Sequence, residues 1–216
     1  MSINETIIKY LVENPPNSEI DFSESLRKML RQEHNPKISL PNKQILLKSY
    51  HTLVRTGKIK KSVHLEKILR RRAVRTLSGV TIITSLVKPY PCPGKCVYCP
   101  LDFRMPKSYL SDEPAAARAL SLEFSPYDQV AKRIEALENN GHPTDKIELI
   151  IKGGTWNSYP LPYQYWFILK SFEAANRTSV KNKTRPTKLS ENSSIKKLRT
   201  ELLKQQKLNE KSSRQN

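Results

Sequence analysis

Between Gly79 and Asn176 the chain alternates twice between a short β-branched run and a longer amphipathic one, and few folds accept that order. "GVTIITSLV" (Gly79 to Val87) is apolar and bounded by turn residues, which predicts a buried strand. "PYDQVAKRIEALENNG" (Pro126 to Gly141) puts Val130, Ile134 and Leu137 on one helical face and ends on glycine, as helices commonly do. "KIELIIKGG" (Lys146 to Gly154) predicts a second buried strand, and "YQYWFILKSFEAAN" (Tyr163 to Asn176) a second helix. Strand, helix, strand, helix is the order of parallel β/α construction, so the fold class is α/β. In such folds the loops that follow strands gather at one end of the sheet, where sites are built.

Upstream the pattern is purely helical. Ser2 and Glu5 have capping-box spacing, and Ile3, Ile7, Tyr10 and Leu11 share a face that "NPPN" terminates. Phe22, Leu26, Met29 and Leu30 form a second stripe, and Leu46, Tyr50, Leu53 and Val54 a third, closed by Gly57. Leu65, Ile68 and Leu69 begin a short fourth helix. Downstream of Asn176 the chain turns polar and basic, with Leu198, Leu202 and Leu208 as a thin stripe in "IKKLRTELLKQQKLNEK". The expected division is a helical domain over 1–74, a β/α domain over 75–176, and a mobile basic linker with a helical tail over 177–216. No run is long and apolar enough for a membrane span or signal core, so the default expectation is a cytoplasmic protein with no membrane partner.

The loop after the first run, "KPYPCPGKCVYCP", holds every cysteine of the chain: Cys92, Cys96 and Cys99. An odd number in one cluster is not a disulfide framework. Three thiolates on one loop can hold three irons of a four-iron cluster, which leaves the fourth iron open to a small molecule. The C-x3-C-x2-C spacing is the signature of S-adenosylmethionine as that molecule, with the aromatic Tyr98 beside the adenine. The Gly153-Gly154 turn and Thr155 follow the second run and so should face the same cavity, where glycine allows a ligand close to the backbone. The competing reading is zinc: "CVYC" is a half-site that Cys92 and a histidine would complete. The histidines are His34, His51, His64 and His142, none near the loop in sequence.

A formal net charge of +18 over 216 residues points to a polyanion, and nucleic acid suits it better than a membrane. Lys60, Lys61, Arg70, Arg71, Arg72 and Arg75 crowd the junction between the helical part and the first strand, with Glu66 the one acid among them. Such a run binds phosphates without reading sequence.

With these residues in view the chain resembles the catalytic subunit of Elongator, the radical S-adenosylmethionine tRNA uridine acetyltransferase, and its stand-alone archaeal and bacterial relatives. "RTLSGVTIITSLVKPYPCPGKCVYCP", "SYLSDEPAAARA", "SPYDQV", "RIEALENNGHPTDKIELIIKGGTW" and "LLKQQKLNE" carry the resemblance in family order, and "LPNKQILLKSYHTL" resembles the family's tRNA-binding domain. The resemblance implies modification of the wobble uridine of tRNA at C5, with acetyl-CoA as co-substrate. It implies that Cys92, Cys96 and Cys99 hold a [4Fe-4S] cluster and that S-adenosylmethionine binds there. It implies that Lys146 contacts acetyl-CoA. The family's "SYTG" reads Ser108, Tyr109, Leu110, Ser111 here, without its turn glycine, and "GGTF" reads "GGTW". The expected architecture is the helical domain followed by the first β/α units of a radical barrel. The chain is expected to be a fragment or half-enzyme, truncated within the barrel, whose remaining strands and acetyltransferase domain come from a second polypeptide. The alternative is a zinc-stabilised RNA-binding module without catalysis.

Overall fold

The computed structural model describes residues 2–32, 41–70, 78–100, 102–179 and 186–213. Contacts divide the chain into two compact units, Met1–Gly79 with Ala136–Pro143, and Val80–Glu135 with Thr144–Asn216.

Among the described residues, the Met1–Gly79 part of the first unit forms four helices: α1 (Ile3–Glu13), α2 (Glu19–Gln32), α3 (Lys43–Arg55) and α4 (Val63–Leu69). Ser2 caps α1 by accepting from the Glu5 backbone N–H, and the helix stops before the Pro15-Pro16 pair. The apolar stripes meet as expected. Ile7, Leu11, Phe22, Leu26, Met29, Leu46, Tyr50, Leu53, Leu65 and Leu69 form one buried cluster, and Ile8 and Leu47 join it. Each such side chain contributes about 1.5–3 kcal/mol by leaving water. Tyr50 is fully buried, yet its hydroxyl is satisfied: it accepts from the Ser62 N–H at 2.6 Å and donates to the Ser62 carbonyl at 3.2 Å. That pair fixes the start of α4 against α3. Gly57 follows α3 with φ +71, a conformation that glycine adopts without strain.

The second unit holds β1 (Thr81–Leu86), α5 (Pro114–Ser121), most of α6 (Pro126–Glu138), β2 (Ile147–Lys152), α7 (Leu161–Ser179) and α8 (Ile195–Ser213). β1 and β2 pair in parallel, from Thr81 opposite Ile147 to Leu86 opposite Lys152. The expected parallel β/α order therefore holds, as a sheet of two strands among the described residues. Apart from the exposed Ile82, β1 is largely covered, with Ile83, Ser85 and Leu86 fully buried. β2 is not: its residues are half-buried or exposed, which corrects the expectation of a buried strand. Its residues are as apolar as those of β1, but among the described residues it has one strand neighbour and its outer edge is unpaired.

The outer edge of β1 is met at Leu86 by a side chain. The buried Gln129 of α6 accepts from the Leu86 N–H and donates to the Leu86 carbonyl, both at 2.9 Å, as a neighbouring strand would. Helix α5 went unread in the sequence. Pro114 at its first turn and four alanines over Ala115–Ala119 were the available signal. Helix α8 docks on α7 through Leu198, Leu202 and Leu169, while Leu208 is exposed. The segment before α8, expected as linker, is held at Thr187. Lys170 donates to Glu173 at 2.9 Å and to the Thr187 carbonyl at 2.6 Å, and Glu173 accepts from the Thr187 hydroxyl at 2.6 Å. No helix of the described residues is long and apolar enough to cross a membrane.

Candidate functional site

The cysteine loop leaves β1 at a point where its backbone is gripped. The Tyr159 hydroxyl donates to the Lys88 carbonyl at 2.6 Å, and the Tyr163 hydroxyl accepts from the Lys88 N–H at 3.1 Å. The two rings stack with centroids 5.0 Å apart, and burial pushes the Tyr163 phenol up to about 12. Lys88 itself pairs with Glu191 at 2.7 Å. The residues that set the loop's exit direction thus come from α7 and the turn before it, elements that lie more than sixty residues on.

Beyond Lys88 the loop and the turn after β2 meet. Cys92, Gly94, Cys96, Cys99, Lys107, Ser108, Gly153, Gly154 and Thr155 line one cavity of about 520 Å³, together with Lys95 and Val97. Parallel topology predicts this meeting, because both segments leave the same end of adjacent strands. The Thr155 hydroxyl lies 3.2 Å from the Cys92 sulfur and the Ser108 hydroxyl 3.5 Å from the Cys99 sulfur. Gly94 sits between two thiols: a Cβ there would lie 3.5 Å from the Cys92 sulfur and 3.7 Å from that of Cys96. The Thr155 hydroxyl, then the Gly94 N–H, hold the Cys92 thiol below its usual range, and Lys107 adds to this. Tyr98 is exposed, and the neighbouring Cys96 pushes its phenol up.

Gly153 is the closest approach in the site. It has φ +151, and a Cβ there would fall 2.0 Å from Val87 Cγ2. On the loop beyond the cysteines, Asp102 accepts from the Arg104 side chain at 3.1 Å and from the Ser111 N–H at 3.3 Å. Arg104 first, then Ser111, keeps that carboxylate well below the usual range. Ser111 needs no glycine: among the described residues the non-glycine positions with positive φ are Ser108, Glu123 and Phe124. The backbone that glycine would suit is at Ser108, three residues earlier, and no sequence signal marked it.

Three free thiols on one cavity, with Lys95 and Lys107 to offset anionic charge, fit a thiolate-bound cluster in donor type and electrostatics. Among the described residues, no group of three or more His, Cys, Asp and Glu side chains is gathered so as to hold a single metal ion. Lys146 is not part of this site. It precedes β2, at the opposite end from Gly153, roughly 20 Å away by strand rise. There it lines a separate cavity of about 240 Å³ with Asp145, Asn176 and Asn209.

Of the basic run, Lys60 and Lys61 lie exposed between α3 and α4, where Lys61 is 3.8 Å from Glu66. Arg70 follows α4, and its Nε is buried with no hydrogen-bond partner among the described residues. Arg71, Arg72 and Arg75 lie outside the described residues.

No protein-family model matches the chain. Curated homologues do, and their names bear out the resemblance read from the sequence. The chain is 49% identical over 106 residues, 49% of its length, to a tRNA uridine(34) acetyltransferase of Dehalococcoides mccartyi. It is 46% identical over 130 residues, 57% of its length, to a protein of the same name from Methanocaldococcus infernus. It is 37% identical over 139 residues, 59% of its length, to Elongator complex protein 3 of Schizosaccharomyces pombe. These matches cover 23%, 24% and 26% of the relatives, so the chain spans about a quarter of the length of the curated relatives it matches.

Proposed function

From that homology as premise, we propose that the chain is part of a tRNA wobble-uridine modifying enzyme and carries its iron–sulfur and S-adenosylmethionine site. The observation that carries the reading is the shared cavity, where Cys92, Cys96 and Cys99 from the end of β1 face Gly153, Gly154 and Thr155 from the end of β2. In this reading the three cysteines hold three irons of a [4Fe-4S] cluster and leave the fourth open. Such a cluster supplies the electron that cleaves S-adenosylmethionine. Gly154, lacking a side chain, lets the amino-acid end of that ligand approach the backbone, where carbonyls accept from its ammonium, while Gly153 makes room for Val87 behind it. Tyr98, exposed beside Cys96, is available to the adenine. Lys95 and Lys107 balance the negative charge of the cluster and its ligand carboxylate.

The two parallel strands are, in the same reading, the first β/α units of a radical barrel. The open edge of β2 supports this, since a strand with one neighbour and half-covered side chains is ready for another. Further strands and the acetyltransferase function come from elsewhere, in cis or on a second polypeptide. Lys146, in its own cavity, is assigned to a phosphate of acetyl-CoA.

Anaerobic reconstitution of the chain with iron and sulfide tests the site. About four irons and four sulfides per chain are expected, in an oxygen-sensitive chromophore. Stoichiometric zinc without sulfide would replace this reading with the zinc-stabilised RNA-binding module.

RNA binding is assigned to Lys60, Lys61, Arg70, Arg71, Arg72 and Arg75. The exposure of Lys60 and Lys61 between α3 and α4 supports it for those two, since an exposed ammonium is open to a phosphate. Changing Arg70, Arg71 and Arg72 together to Glu should weaken tRNA binding and flatten the plot of log affinity against log salt by about 2–3 units, roughly one per phosphate contact. The triple change of Lys181, Lys183 and Arg185 to Glu should cost clearly less. Equal losses in a filter-binding titration would mean diffuse attraction and no site at the junction.

A further inference from the structure

Two hydroxyls in the cavity are each turned away from the part their position normally plays. Thr155 stands at the N-cap of the turn Trp156–Ser158, where a threonine ordinarily accepts from the backbone, yet it makes no cap hydrogen bond. Its hydroxyl lies 3.2 Å from the Cys92 sulfur instead. Ser108 occupies the third position of the turn closed by the Tyr109 N–H to the Pro106 carbonyl, with φ +76. Glycine or asparagine is the usual occupant of such a position, because other side chains strain the backbone there. The serine carries that strain, and its hydroxyl lies 3.5 Å from the Cys99 sulfur. Thr155 follows β2, whereas Ser108 lies on the loop between the cysteines and α5, so two unrelated segments each bring one hydroxyl to one sulfur.

We propose that Thr155 and Ser108 are positioning residues that donate hydrogen bonds to the Cys92 and Cys99 sulfurs and thereby raise the reduction potential of the cluster those sulfurs hold. This rests on the cluster reading given above. A ligating cysteine is a thiolate and has no proton to give, so in each pair only the hydroxyl can donate. Reduction adds negative charge that spreads onto the sulfurs, and a donor aimed at a sulfur stabilises the reduced form more than the oxidised one. Hydrogen bonds to a ligand are an established means of setting such potentials. The two donors therefore make the electron easier to load.

The full chain is reconstituted, and its midpoint potential is read by a redox titration followed by electron paramagnetic resonance, with thermal melting in parallel. Thr155→Val keeps the shape and removes the donor, so the potential should move to a more negative value; Thr155→Ser keeps the donor and should restore the parental potential. Ser108→Gly should also lower the potential, while leaving the melting temperature at or above that of the parent, because glycine relieves the positive φ. A purely structural serine would not separate the two readouts in this way. Unchanged potentials in both Thr155→Val and Ser108→Gly, with the cluster assembled, overturn the inference and leave the cluster reading standing. A parent chain that takes up no iron and sulfide overturns both.

Discussion

Alanine at Cys92, Cys96 or Cys99, one at a time, is expected to reduce iron and sulfide uptake from about four of each per chain to background. Each iron at a closed corner of such a cluster needs its own thiolate, and the loop has no spare. Cys96 is exposed and the other two are half-buried, so no packing is lost with them. Stability should stay within about 0.5 kcal/mol of the parent for Cys96, and within about 1 kcal/mol for Cys92, whose sulfur also accepts from Gly94. The separation of the two effects is the informative part. Melting curves that coincide with the parent, beside absent absorbance and absent sulfide, identify the thiols as ligands. A single alanine variant that keeps full iron content would show that the cysteine it replaced is not one.

Gly153→Ala is expected to destabilise the second unit by about 3 kcal/mol, combining strain at a positive φ with overpacking. The added methyl would need the space of Val87 Cγ2, 2.0 Å away. Val87 is 1% exposed and packed by Tyr159, Tyr163 and Phe167, and a β-branched side chain has little rotamer freedom with which to step aside. Val87→Ala alone should cost about 2 kcal/mol by the cavity it leaves. The double variant should lose about 1–2 kcal/mol less than the sum, because the second change removes the atom in conflict. Denaturant unfolding of the four proteins measures this, and simple additivity would place the whole cost in the backbone. Since Gly153 leads directly to Thr155, the single variant should also load less iron, and the double variant should recover part of it.

What could be read in the sequence was whatever repeats with a period or sits at a fixed spacing. The stripes of α1 to α4 met as their phases required, because each alternative phase would expose Leu46 or Leu53 to water. The meeting of the Cys92 loop with the Gly153 turn followed from two parallel strands alone. Burial of β2 did not follow, since "IELIIK" has the same composition whether it has one neighbour or two. Gln129 was invisible for a different reason: a glutamine that imitates a strand edge at Leu86 has no local signature, and only the tertiary contact defines it. The same holds for Ser108, whose role lies in a backbone angle. The docking of α8 was half visible, in Leu198 and Leu202, but the clamp of Lys170 and Glu173 on Thr187 joins residues that no periodicity connects.

The pairing of β1 with β2 also sets an order in time. Thr81 and Ile147 are partners across 66 residues (147 − 81), and that whole stretch must close into a loop before either strand gains its neighbour. Contacts of this kind form late, because the entropy of closure is spent before any ladder hydrogen bond is made. Helices such as α1 and α3 draw on nearer contacts and need not wait. The cavity takes its walls from the ends of both strands, so it cannot take shape before they pair. Until that moment Cys92, Cys96 and Cys99 lack the wall that the Gly153 turn sets opposite them.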